Sequence, residues 1–386
     1  MNPIKILDDV YWVGGIDWNL RNFHGYLTQR GSTYNAYLIV DDAVTLIDTV
    51  KHYLTDEMLD RIAWIVDPSE IKYIVANHVE MDHSGALPRL MEICPDATII
   101  TSPQGEKGLR AHYRKDWNFK VVQSGEEVSI GARTLKFVLT PMVHWPDNMV
   151  CYSPSDKILF SNDAFGQHIA TSERFDDQFY VDIIHEEAMK YYANIVLPYS
   201  QQVRKVLEDA ATLDIEYIAP SHGIIWRSYV SWILEFYQRW AMNETDNKAL
   251  IIYDTMWGST EKIAYAIQKA FEIREIDTSM LLLKNNHMSD IMTEVLTARY
   301  ICVGSPTLNK NMLPDVAAFL TYLKGLAPRN KVGLAFGSYG WGAQGVNDVD
   351  AVLRACDFDM IDKISTQYVP DAKALDEITK KVMEAL

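Results

Sequence analysis

The sequence predicts a two-part α/β protein: a mixed half over residues 1–247, then a doubly wound parallel-sheet half over 248–386. Three observations carry this. Short β-branched, apolar runs alternate with helical patterns along the chain. The rhythm turns regular after residue 248, where five candidate strands are separated by helices. Between the halves, Asn243-Glu244-Thr245-Asp246-Asn247-Lys248 is polar and rich in helix-capping residues, as a boundary should be. At 386 residues the chain is long enough for two or three domains with full cores.

The first half opens with strands. Val10–Val13 is short. Tyr34–Val40 and Val44–Asp48 flank Asp41-Asp42-Ala43, a hairpin signal. Residues 55–66 are helical, with Leu59, Ile62, Ile65 and Val66 on one face. The run 71–76 reads as a buried strand, followed by a helix to about Cys94, a strand at Ala97–Thr101 and a helix near 103–114. A second strand group covers Val128–Ile130, Thr134–Leu139, Met149–Ser153 and Ile158–Ser161. Helices return near 185–195 and 199–213, and a strand follows at Ile215–Ala219. Periodicity alone takes this half no further than mixed α/β. No internal repeat stands out.

One loop concentrates chemistry. Asn77-His78-Val79-Glu80-Met81-Asp82-His83-Ser84-Gly85 holds four potential metal ligands within six residues: His78, Glu80, Asp82 and His83. It joins the 71–76 strand to a helix for which Ser84 is the N-cap candidate. A regular strand would send His78 and Glu80 to one face and His83 to the other, so the irregular loop is what lets them converge. Two imidazoles and two carboxylates exceed what one open metal takes from a single loop, which points to two metals. Each of His144, Asp163 and His222 follows an apolar run and adds a candidate. The set is four histidines and three carboxylates with no thiolate. It suits iron or manganese better than zinc, without excluding zinc.

Composition narrows the partners. Hydrophobic residues make up 48% and charged residues 23%, ordinary for a globular chain. The net charge of -16, with no basic run, argues against nucleic acid and anionic membranes. The start, Met1-Asn2-Pro3-Ile4-Lys5, lacks the apolar stretch of a signal peptide, and no run reaches transmembrane length. Cys94, Cys151, Cys302 and Cys356 are far apart and form no C-x-x-C pair. They read as buried reduced thiols of a cytoplasmic protein, with neither a zinc ribbon nor a rubredoxin-type iron site.

In the second half the candidate strands are Ala249–Tyr253, Ser279–Leu283, Tyr300–Val303, Val332–Phe336 and Ile364–Tyr368; Glu261–Phe271 is the best-defined helix. This is the pattern of a flavodoxin-type sheet. The loop Thr255-Met256-Trp257-Gly258-Ser259-Thr260 ends at a helix N-terminus. Its backbone N–H groups and the hydroxyls of Thr255, Ser259 and Thr260 can ring one phosphate. No G-x-G-x-x-G follows the strand and no G-x-x-x-x-G-K-[ST] appears, so a dinucleotide and a nucleoside triphosphate are disfavoured. One terminal phosphate without a cationic clamp is what FMN presents. Two further loops sit at carboxyl ends of strands, where ligands of this fold collect. One carries Pro306, Thr307, Leu308 and Asn309. The other carries Ser338, Tyr339, Gly340, Trp341 and Gly342, with aromatics able to flank a flat ring.

The pattern His-x-Glu-x-Asp-His, then a single His, a single Asp and a single His, resembles the flavodiiron proteins. The text around it agrees: His144-Trp145-Pro146-Asp147, Asn162-Asp163-Ala164-Phe165-Gly166-Gln167 and Ser221-His222-Gly223. The FMN loops are similar to those of the same family, so the resemblance spans essentially the whole chain. It implies an N-terminal metallo-β-lactamase-like αβ/βα sandwich with a non-haem diiron site at the edge between its sheets. His78, Glu80 and His144 are implied on one iron, Asp82, His83 and His222 on the other, with Asp163 bridging. The parent hydrolase fold usually has His where this chain has Glu80; a hard anionic oxygen there favours iron and redox chemistry over zinc and hydrolysis.

The resemblance further implies reduction of O2 to water or of NO to N2O, in protection against oxygen and nitrosative stress. His24, His168 and Tyr192 are its candidate pocket residues for proton supply. His52, His112, His185 and His287 read as structural or solvated. An external donor is implied, a rubredoxin-like protein or a reduced deazaflavin. So is a head-to-tail homodimer, or a dimer of dimers, in which the flavin of one subunit faces the partner's irons. Two competing readings are a zinc hydrolase fused to a flavodoxin module and a non-catalytic flavin electron carrier with a structural metal. All seven donors would be the same for either gas, so the sequence leaves O2 and NO open.

Overall fold

The computed structural model describes residues 2–386, which form two compact units. The first comprises the chain to Tyr192 together with Gln201–Gln238; the second comprises Ala193–Ser200 and Arg239–Leu386. The division expected at 247/248 falls just inside a strand, Asp246–Tyr253, that begins upstream of the predicted Ala249.

The first unit contains two sheets. One has seven strands in the order Ile4–Leu7, Val10–Trp12, Tyr37–Ile39, Thr45–Ile47, Tyr73–Val75, Thr98–Thr101 and Asn118–Val121. The other has five, from Glu127–Ser129 through Thr134–Leu139, Met149–Ser153 and Ile158–Asn162 to Tyr217–Pro220. The sheets face each other across one apolar core, where Trp12, Ile39, Ile47 and Ile100 meet Leu135, Phe137, Cys151 and Phe160. A second core lies on the other side of the first sheet. There Leu38, Leu46, Ile74 and Ile99 pack against Met58, Ile62, Leu90 and Leu109 from three helices. Helix Ser200–Ala210 covers the outer face of the second sheet over Val138, Val150 and Leu159. The result is the αβ/βα sandwich. Strands buried on both faces, such as Met149–Ser153 and Ile158–Asn162, read as continuous apolar runs, as expected for such layers.

Several elements depart from the sequence reading. The run Tyr34–Val40 is not one strand: Ser32–Tyr34 pairs with Gly15–Asp17, and Tyr37–Ile39 joins the main sheet. The break at Asn35 has a cause. Its side-chain amide donates to the carbonyls of Pro220 and Gly223, and its oxygen accepts from Trp12 Nε1, so the chain turns to reach the second sheet. The four-residue edge strands Ile4–Leu7 and Asn118–Val121 and the helix Val230–Ala241 were not anticipated.

In the second unit the parallel order is Asp277–Leu282, Asp246–Tyr253, Ala298–Gly304 and Val332–Tyr339, with Asp359–Met360 and Ile364–Gln367 both against the last. The first strand lies inside and the second at the edge, the flavodoxin-type order with its switch point beside strand one. Ile251, Cys302, Leu334 and Phe336 pack under helices Ser259–Ile273 and Ala372–Ala385 through Ile263, Ile267, Ile378 and Val382. All four cysteines are buried and unbridged. No helix among the described residues is long and apolar enough to cross a membrane.

Candidate metal centre and flavin cavity

The seven expected donors converge at one end of the sandwich, each at the carboxyl end of a strand or just beyond. His78 and Glu80 follow Tyr73–Val75, Asp163 follows Ile158–Asn162, and His222 follows Tyr217–Pro220. Asp82 and His83 lie on a four-residue helical turn, Met81–Ser84, for which Glu80 is the N-cap. Ser84 therefore ends this turn and does not open the next helix. Its hydroxyl donates back to the carbonyls of Val79 and Glu80, which closes the loop on itself.

Asp163 sits in the middle. Its Oδ2 lies 3.3 Å from His144 Nε2 and 3.8 Å from His78 Nε2. Its Oδ1 lies 3.1 Å from His83 Nε2 and 3.3 Å from His222 Nε2. Glu80 Oε2 closes the first group, 3.3 Å from His78 Nε2 and 3.7 Å from His144 Nε2. Asp82 closes the second, 3.4 Å from both His83 Nε2 and His222 Nε2. Two clusters meet the geometric requirement for one ion each: His78, His144 and Asp163, and Asp82, His83 and His222.

The arrangement fits metal. Asp82 Oδ1, His83 Nε2 and Asp163 Oδ2 are fully buried and lack a hydrogen-bond partner although they are so close together. Their polar atoms point at shared points in space and not along each other's bonds. Leaving such groups unsatisfied is costly, and donors about 2.1 Å from one ion stand roughly 3–3.5 Å apart. The electrostatics agree. Burial alone would keep His78 neutral, but Asp147, Glu80 and Asp163 hold its proton and raise its pKa to about 10. Burial likewise opposes charge on His222, while Asp163 and Asp82 raise it to about 10. Asp163 is held well below the usual carboxylate range by His83, His144 and His222 against its burial. Without metal, imidazolium protons balance the carboxylates; a bound cation would displace them.

A layer of hydrogen bonds behind the donors aims them. His78 Nδ1 pairs with Asp147 Oδ2 at 2.9 Å, and His222 Nδ1 with the Thr33 carbonyl at 2.8 Å, so each Nε2 faces inward. Asp48 pins three donor loops at the residue before the donor. It accepts from Asn77 N and Nδ2 at 2.8 and 3.0 Å, and from Asn162 Nδ2 and Ser221 Oγ at 3.4 Å each. Thr49 holds His83 through its carbonyl. Gly223 has φ +81, and a Cβ there would come 2.2 Å from Gln167 Oε1, so only glycine lets the chain turn directly after His222. Asp48 and Asp147 were missed as positioning residues. The signal available was an acidic residue ending a buried strand, and one inside the flanking text of His144.

Of the three candidate pocket residues, His24 and His168 make contacts at the cluster. His24 is exposed and its Nε2 lies 3.4 Å from Glu80 Oε1. His168 is buried 4.8 Å from the His222 ring, with Nδ1 paired to Ser32 Oγ; burial and His222 keep it neutral. At the third position the residues differ in role. The hydroxyl that donates to Asp163 Oδ1, at 2.9 Å, belongs to Tyr191. Tyr192 packs edge-to-face on Tyr237. The pattern alone does not separate two adjacent tyrosines, because the helix Val181–Tyr191 ends in a π-helical turn there and shifts the register.

In the second unit a cavity of about 720 Å³ opens at the carboxyl ends of the strands. Met256, Trp257 and Ser259, all of Pro306–Asn309 and all of Ser338–Gly342 line it. Thr255, Gly258 and Thr260 belong to the same loop and helix start as Met256, Trp257 and Ser259. Thr255 Oγ1 accepts from Gly258 N, and Thr260 Oγ1 pairs with Ser338 Oγ at 2.9 Å. Gly258, at φ +80, caps helix Ser259–Ile273, whose N-terminus faces the loop. Lys310, Gln344, Tyr368 and Val369 also line the cavity and were not anticipated. The last two extend the fifth strand at the same edge, a signal that was legible. Trp257 and Trp341 are each 92% exposed on its rim.

Fold and site together define a two-domain protein, a β-lactamase-like half with a dinuclear donor set and a flavodoxin-like half with a ligand cavity. Comparison with known proteins places it further. Residues 33–223 match the ODP family of β-lactamase domains, and residues 251–381 match flavodoxin. The chain is 46% identical over 380 residues to the nitric oxide reductase of Moorella thermoacetica, covering 97% of this chain and 95% of that one. It is 44% identical over 366 residues to the rubredoxin-oxygen oxidoreductase of Megalodesulfovibrio gigas, covering 93% and 91%. The crystal structure of the flavodiiron protein from Giardia intestinalis superposes with a TM-score of 0.96 at 35% identity, covering 100% of this chain and 96% of that one. The chain belongs to the flavodiiron protein family and is an oxidoreductase.

Proposed function

We propose that residues 1–247 hold two non-haem irons, residues 248–386 hold FMN, and the protein reduces O2 to water, NO to N2O, or both. His78, Glu80 and His144 would hold one iron and Asp82, His83 and His222 the other, with Asp163 across both. When bound, irons and flavin supply the four electrons that turn O2 into two waters, or the two that turn two NO into N2O and water. The chain's own part is positioning and proton handling. Asp48, Asp147 and Thr33 fix the donors before any ligand arrives, so little reorganisation is needed at turnover. Tyr191 holds Asp163 from one side, and His24 reaches Glu80 from the solvent side. The observation that carries the reading is Asp163, whose two oxygens each face a separate pair of histidines.

Electrons would come from an external donor, a rubredoxin-like protein or a reduced deazaflavin, and the exposed Trp257 and Trp341 rim is the natural side for its approach. A head-to-tail homodimer, or a pair of such dimers, would bring each flavin to the partner's irons; sedimentation of the holoprotein tests this. The unbridged cysteines support a cytoplasmic setting. The central experiment is metal analysis followed by anaerobic reduction and parallel turnover with O2 and NO, with N2O and peroxide measured. Iron near two per chain, with gas consumed and no peroxide, is the expected result. Zinc with negligible iron would return the chain to the hydrolase reading. Reoxidation at free-flavin speed with peroxide released would return it to the electron-carrier reading.

A further inference from the structure

Gas reduction consumes protons at a centre where only Glu80 and His144 meet solvent and the other five donors are 0–3% exposed, so protons reach the Asp163 and His222 side through groups of the chain. Two segments run side by side from the metal centre toward the surface. One is helix Val181–Tyr191, with Tyr191 at its inner end and Glu187 one turn further out on the same face. The other is Arg30–Thr33. At the inner end Tyr191 donates to Asp163, and the Thr33 carbonyl meets His222. In the middle Ser32 meets His168 at 2.7 Å. At the outer end Arg30 Nε donates to Glu187 Oε1 at 3.1 Å, while another nitrogen of Arg30 reaches Glu186. Arg30's side chain is 39% exposed and Glu187's only 4%, so the pair straddles the boundary between solvent and interior.

The His168 ring lies beside both segments, against Ser32 and 5.2 Å from the Tyr191 ring, and its Nε2, like Glu187 Oε2 and Thr28 Oγ1, is buried without a hydrogen-bond partner in the protein. Buried polar atoms of this kind are what ordered water satisfies. The charged groups facing Glu187 are Arg30 from the loop and Glu186 and Lys190 from its own helix; Lys190 Nζ is engaged by Gln29 Oε1 at 2.6 Å.

We propose that Glu187 is the proton-loading carboxyl of the metal centre, taking protons from solvent beside Arg30 and passing them inward between Tyr191 and the Ser32–His168 pair. This rests on the gas-reductase reading above. In each cycle the O–H bond of the Glu187 carboxyl breaks as its proton moves toward the pocket. A proton from bulk water then re-forms that bond, so the residue ends as it began and no electrons are exchanged with it. Burial outweighs Lys190 and Arg30 and raises Glu187 to about 7, which leaves it half loaded at neutral pH, where a proton donor is most effective.

The test uses the iron- and FMN-loaded protein. Wild type should show turnover with the consumed gas falling as pH rises through about 7. In Glu187→Gln that step should vanish and the rate at low pH should drop at least about 10-fold, with iron content and flavin reduction by the donor unchanged. Arg30→Gln removes the neighbouring cation, so the step should move to higher pH; this variant decides the matter if Glu187→Gln does not fold. Infrared titration of metal-free protein supplies an independent reading, a protonated carboxyl band that disappears near pH 7 in wild type and is missing in Glu187→Gln. An unchanged pH profile in Glu187→Gln, an unmoved step in Arg30→Gln, or a Glu187 band that titrates in the ordinary carboxylate range would each overturn the proposal. Wild type that consumes neither gas would instead overturn the parent reading, and the infrared result would stand apart from it.

Discussion

The metal centre and the flavin cavity are each assembled from four stretches of chain, yet they are made in opposite ways. The centre is built from side chains. His78, His83, His222, Asp82 and Asp163 are 0–3% exposed, and each is aimed by a buried partner behind it or by the carboxylate between them. The cavity is built from backbone. Its loops cap strand ends, its glycines let the main chain approach a ligand, and its largest rings stand 92% exposed. A buried constellation cannot adjust without breaking hydrogen bonds, whereas exposed rings on loops settle once a flat ligand arrives. The first site should therefore fail abruptly when a single residue is changed, and the second by degrees.

The sharpest break should come at Asp163. Asp163→Ala removes the one residue common to both donor groups, so gas turnover should fall about 1,000-fold or more, and iron by at least one ion per chain. FMN content should not change; parallel iron and flavin assays check both. Retention of two irons would show that the carboxylate does not hold the pair together.

Next in size is a pH effect on the first unit alone. Glu187 is raised in the folded state from an ordinary 4.5 to about 7. A carboxyl raised on folding contributes stability that is full below pH 4.5 and lost as pH rises through 7, roughly 3 kcal/mol at most. The first unit's unfolding midpoint should therefore drop between pH 5 and 8 in wild type, and drop less in Glu187→Gln. Urea unfolding followed at both pH values measures this, and equal slopes would contradict the burial argument.

Asp147→Asn keeps the shape but loses the charge that orients His78, and iron affinity should weaken about 10–100-fold with FMN binding untouched. A competition titration against a chelator reads it. The smallest effect belongs to the other site. Trp341→Ala removes one ring from the flavin rim and should weaken FMN binding only about 2–10-fold, with iron unaffected. If fluorescence titration finds no change, the exposed ring serves a protein partner and not the flavin.

How much of this was legible follows the same contrast. The seven donors could be read because metal ligands are rare residue types concentrated in a loop after a strand, and all seven do meet. The phosphate loop was read from hydroxyls and a glycine before a helix; the pairing of Thr260 with Ser338, 78 positions away, was not legible. Tyr191, whose hydroxyl reaches Asp163, was not read, since a π-turn at the helix end shifts the register and its partner lies 28 positions away. The broken strand at Asn35 was invisible for a related reason: the residues that hold it, Pro220 and Gly223, lie 185 and 188 positions away.

The amino-acid order by itself determined the inventory: two α/β halves, a hard-donor set without thiolate, loops of the kind that receive a phosphate, and a length and polarity able to bury both. Only the folded chain decided direction. Which oxygen of Asp163 faces which imidazole, that Asp48 grips three loops at once, and that Glu187 sits between Arg30 and the interior all depend on hydrogen bonds between residues 28 to 189 positions apart. Local pattern encodes how a segment buries its apolar face. It carries no record of which distant polar atom that segment will meet, because that is settled when the sheets close on each other.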